Sequence, residues 1–85
     1  MMFEGIEYDL ILASDPERDG MMLEFWDISA DPREQVLEVF YSDSSGAMTL
    51  TTFEHNVPLG LIELAMAEGR KRLPLLDGPQ RQSRG

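Results

Sequence analysis

Residues 36–54 read VLEVFYSDSSGAMTLTTFE. Residues 36–42, VLEVFYS, are rich in β-branched and aromatic types and predict a strand. Residues 43–46, DSSG, predict a tight turn, with Asp43 at its first position and Gly46 free to take a left-handed conformation. Residues 47–54, AMTLTTFE, alternate in character and predict the returning strand. So short a loop forces the two strands to run antiparallel. This hairpin decides the fold class.

Upstream, residues 3–13, FEGIEYDLILA, predict a strand in which Ile6, Tyr8, Leu10 and Leu12 alternate with Glu7 and Asp9. The polar stretch 14–20, SDPERDG, punctuated by Pro16 and Gly20, predicts a turn. Residues 21–28, MMLEFWDI, predict another strand, and 29–35, SADPREQ, another polar connection. Three short connections join four strands in a meander. Downstream, Pro58 suits the first turn of a helix. Leu59, Ile62, Met66, Gly69 and Leu73 recur at spacings of three and four, with Ala65 beside them. Pro74 predicts the end of the helix. The expectation is an α+β domain over residues 1–76: a four-stranded antiparallel meander with one C-terminal helix packed on one face. Residues 77–85, DGPQRQSRG, are expected to form a disordered polar tail.

The chain of 85 residues has a formal charge of −9, no cysteine and one histidine, His55. Disulfides and thiolate chemistry are excluded. The acids are concentrated upstream. Residues 1–58 hold thirteen of them against Arg18 and Arg33, whereas residues 59–85 hold five basic and three acidic residues. Such a surface repels nucleic acid and anionic lipid and attracts a basic protein. No stretch approaches the ~20 apolar residues of a membrane span, and no basic leader precedes an apolar run. A cytoplasmic protein is expected.

One helix covers one sheet face. If Leu23 and Phe25 face it with Leu37, Val39 and Tyr41, then Met22, Trp26, Phe40 and Phe53 face away, mixed with Glu24, Glu38, Thr49 and Thr51. On a helical wheel Leu64 lies far from the stripe and Leu61 at its edge. Trp26, Phe40, Phe53, Leu61 and Leu64 are therefore the expected protein-interface residues. Glu24, Asp27, Glu38 and Asp43 are the acids expected to steer a basic partner toward them.

Catalytic and metal patterns are weak. Asp15, Glu17, Asp19 and Gly20 match the first half of a calcium loop, but Trp26 stands where the closing glutamate belongs. That stretch reads as a solvated turn. His55 has no evident orienting acid and nucleophile, and the serines around the turn have no evident base. No enzyme activity, cofactor or metal is expected.

Residues 36–73, VLEVFYSDSSGAMTLTTFEHNVPLGLIELAMAEGRKRL, resemble a pattern of small acidic bacterial proteins. There a hairpin of the form EVFYSD..G.MTL..F leads into VPL.LIE and a helix ending in basic residues. In size and charge the chain is also similar to polymorphic-toxin immunity proteins. The resemblance implies the strand–strand–helix order and an inhibitor or immunity role, and it carries no catalytic motif. The expected function is non-enzymatic: occlusion of a basic partner surface. The alternatives are a homodimer built on the apolar sheet face or the helix, or a small-ligand module lined by some of the six methionines.

Overall fold

A computed structural model describes the backbone of residues 1–84 and the side chains of residues 1–73. The elements are β1 (Met2–Phe3), β2 (Ile6–Asp15), β3 (Gly20–Asp27), β4 (Glu34–Ser42), β5 (Met48–Thr52) and α1 (Leu59–Arg84). The strands form one antiparallel meander in sequence order. The fold is α+β, with five strands in place of the expected four.

The extra strand comes from the first stretch. Glu4 and Gly5 hold φ of 49° and 81°, and this two-residue turn sets Phe3 opposite Ile6 and Met2 opposite Glu7. A run read as one strand is therefore a short hairpin followed by a long strand. The turn at 43–46 forms where expected, with Gly46 left-handed, but it closes on Ser42 rather than on Asp43. Gly46 takes φ 77°, its N–H donates to Ser42 O at 2.8 Å, and Ser42 N–H donates to Ala47 O.

Register places Tyr8, Leu10, Leu23, Phe25, Leu37, Val39 and Tyr41 on the face beneath α1. Leu23, Phe25, Leu37, Leu61 and Leu73 are fully buried. Each contributes about 1.5–3 kcal/mol relative to exposure. The rotation of α1 differs from the wheel expectation. Leu61, Ala65, Gly69 and Leu73 point inward, while Leu59 is 77% and Met66 40% exposed. The reason is steric. A Cβ on Gly69 would stand 2.8 Å from Val39 Cγ1, and one on Gly60 2.8 Å from Phe3 Cζ. The helix lays its small residues on the sheet and so approaches closely.

The helix also continues past Pro74, where its end is expected from sequence. Proline keeps a helical φ and forfeits one hydrogen bond without reversing the chain. Residues 77–84 of the stretch expected to be a polar tail are helical, as the last part of α1.

Gly69→Leu should lower stability by about 1–3 kcal/mol, the usual cost of overpacking, despite leucine's better helix propensity. Urea denaturation measures this. A midpoint equal to that of the unaltered chain would mean that α1 does not lie this close to Val39.

Candidate functional site

The face turned away from α1 carries Met22, Glu24 and Trp26 from β3 and Glu38 and Phe40 from β4. Glu24 and Glu38 stand directly opposite each other, a like-charge pair that destabilises a sheet when left uncompensated. Glu38 is only 7% exposed. Arg18 resolves the conflict. It reaches back from the β2–β3 turn and donates through Nη1 to Glu38 Oε2 at 2.9 Å. Its guanidinium carbon lies 4.2 Å from the centre of the Phe40 ring, and Nε donates to Asp15 Oδ2. Asp15 also accepts the Glu17 and Arg18 backbone N–H groups. The Arg18 guanidinium is the main cause holding the Asp15 carboxyl below its usual range.

A second arginine repeats the arrangement at the other end. Arg33 donates to Asp9 Oδ2 at 2.9 Å, and its guanidinium carbon lies 5.5 Å from the Trp26 ring centre. Trp26 Nε1 donates to Glu24 Oε1 at 2.9 Å. Two cation–π contacts thus cover the two aromatic residues of the β3–β4 pair on this face.

These positions revise the expected interface. Phe40 is buried beneath Arg18, and Trp26 is half-buried beside Arg33. Leu61 is 0% exposed and belongs to the core, because the wheel reading set the helix at the wrong rotation. Leu64 is partly buried and packs on that core rather than opposite it. Phe53 alone among the five is plainly exposed, at 52%. Among the steering acids, Glu38 is ion-paired and buried, so it is withdrawn from that role. Glu24 accepts the Trp26 indole N–H, and Asp27 accepts the Ser29 N–H and hydroxyl. Asp43 is exposed.

Acids that composition could not place gather at one end of the sheet. Asp27 opposes Glu34 across β3 and β4. The Glu54 carboxyl is pushed above its ordinary range, first by loss of hydration, then by a hydrogen bond shared with Glu34 and by the charges of Glu34 and Asp27. The Tyr8 hydroxyl is raised by burial first, then by Asp27, Glu54 and Glu4. Of the thirteen acids in residues 1–58, Glu7, Asp9, Asp15 and Glu38 are ion-paired. The other nine have no basic partner among the described residues. No described group of three or more His, Asp or Glu side chains has a metal-binding arrangement, and no described helix is long and apolar enough to cross a membrane.

A groove of about 230 Å³ runs between α1 and the outer strand, lined by Val39, Met48, Leu50, Ile62, Met66 and Arg70. Two of the six methionines do line it, but it falls below the ~300–1,000 Å³ of ordinary small-molecule sites.

Arg18→Ala should lower the melting temperature by several degrees, since it bares Phe40 and leaves Glu38 facing Glu24 unpaired. Adding Glu38→Gln should recover most of the loss. No recovery would show that Arg18 acts by packing alone. The Glu54 pair sets a pH dependence of known sign. The folded chain holds the Glu54 proton more tightly than the unfolded chain does. That contribution is full below the ordinary glutamate range and is lost as pH rises through the raised folded value. Carboxyl NMR titration should find Glu54 above ordinary glutamates, and Glu34→Gln should bring it down. An unmoved Glu54 would remove Glu34 as a cause.

Compared with known proteins, the chain matches no family model, no curated protein and no solved structure.

Proposed function

We propose that this chain is a non-enzymatic binding protein whose acidic sheet half docks on the basic surface of a protein partner and occludes it, as an inhibitor or immunity protein does. The observation that carries this reading is the uncompensated charge. Both arginines of residues 1–58 are engaged by the chain's own carboxylates, and nine acids are left without a basic partner among the described residues. The crowded end at Asp27, Glu34 and Glu54 is the best docking point. There the acids repel one another, and an incoming lysine or arginine relieves that repulsion. Ile28 and Phe53, both exposed, adjoin Asp27 and Glu54 in sequence and supply apolar contact. The acids speed encounter, and the apolar side chains hold the complex.

The reading favours the product of a neighbouring reading frame as partner, with this chain relieving its toxicity on co-expression. The association rate should fall by roughly tenfold from low to high salt. Glu54→Lys should slow it several-fold at low salt without loss of fold by circular dichroism. A rate indifferent to salt would defeat the steering mechanism, and a harmless neighbouring product would defeat the immunity role.

A further inference from the structure

β5 is the last strand of the sheet, and no described strand lies against its outer side. The Phe53 N–H donates to Val36 O at 2.8 Å, which fixes the phase of the β4–β5 ladder. Residues 49, 51 and 53 therefore turn their backbone groups toward β4. Met48, Leu50 and Thr52 turn N–H and C=O outward. Such a row is a template for another strand, and native edges are commonly defended by charge, proline or a bulge. The β5 sequence, MTLTT, has no charge and no proline, and its register with β4 is regular.

We propose that β5 pairs antiparallel with β5 of a second copy, about a two-fold axis at Leu50, joining the two sheets into one. In this register Leu50 opposes the partner's Leu50, and Met48 opposes the partner's Thr52. Every outward N–H and C=O of the strand then finds a partner. Thr49 stands beside the partner's Thr51, a cross-strand pair that favours pairing. The groove bounded by Leu50, Ile62 and Met66 lies over β5 itself. An added strand continues its apolar floor beside Met66, which the rotation of α1 leaves exposed.

Charge selects this edge. Two copies at −9 each repel unless they meet where no acid stands, and β5 has no ionisable residue. The opposite free edge is β2 beyond residue 8. There Ile28 N–H donates to Glu7 O, so Leu10, Leu12 and Ser14 face outward. Pairing that edge about Leu12 sets Asp9, which holds Arg33, against the partner's Asp15, which holds Arg18, and the reverse, so this edge brings charged side chains together where β5 brings none.

Light scattering of the full chain across a concentration series tests this. The mass should approach twice the 9.6 kDa of one chain. Thr52→Pro removes only an outward N–H and should return the mass to that of the monomer with an unchanged circular dichroism spectrum. Thr51→Glu, at an exposed position, should do the same. Oxidising an equimolar mixture of Thr49→Cys and Thr51→Cys chains should give a covalent dimer that neither variant gives alone. A monomeric mass at every concentration, or a dimer untouched by both edge variants, overturns the proposal. A dimer abolished by both variants without cross-linking in the mixture overturns the Leu50 register.

Discussion

Gly69 of α1 meets Val39 of β4 at a distance that leaves no room for a methyl group. The rotation of the helix follows from that contact. With Ala65 and Gly69 pressed to the sheet, Leu61 and Leu73 fall into the core. Leu59 and Met66 are turned out, and Ile62 is left at the groove. Had the larger residues faced the sheet, the axis would stand farther off and the β3–β4 core would lose contact with the helix backbone. One small residue thus sets both the density of the core and the position of the apolar surface left outside it.

The second face of the sheet is closed by different chemistry. A sheet covered by one helix leaves its other side wet, and here that side bears Phe40 and Trp26 as well as Glu24 and Glu38. Arg18 and Arg33 each bring a planar cation to an aromatic ring and hydrogen bonds to a carboxylate. Arginine suits this because its aliphatic stem shields apolar surface while its guanidinium remains partly hydrated. The chain's own cations therefore cover side chains that would otherwise call for a partner. The same pairing occupies Arg18 and Arg33, so nine acids of residues 1–58 have no basic partner among the described residues.

Much of this was legible from sequence. Alternation put Leu23, Phe25, Leu37, Val39 and Tyr41 on one face but left open whether the helix covers that face, and the DSSG stretch predicted the place of the hairpin turn and the left-handed Gly46. Local signals sufficed there, because the period of a strand is short and one face is buried. The first hairpin escaped because Glu4 takes a positive φ that a non-glycine residue seldom adopts. The helix rotation escaped because a wheel weights bulk, whereas close packing on a sheet selected small residues. Arg18 over Phe40 escaped because the pair meets through the sheet register, with no periodic trace in the intervening sequence. The loop that resembled a calcium site was the one informative hint: Asp15 is engaged, and Arg18 from within the same loop engages it.

The two proposed associations make opposite demands on the same charge. An acidic sheet half attracts a basic partner and repels its own copy, so screening by salt weakens the first contact and eases the second. They can coexist only if they use different ground. β5 has no ionisable residue, whereas the crowded carboxylates of Asp27, Glu34 and Glu54 lie at one end of the strands. A two-fold axis at Leu50 joins the copies side by side, with Glu54 two residues past the end of β5 and opposite the partner's Gly46, and with Asp27 and Glu34 on strands farther from the axis. Charge that forbids most self-contacts therefore restricts the allowed one to the uncharged strand. The acidic surface that makes a partner possible is the same constraint that selects how this chain meets itself.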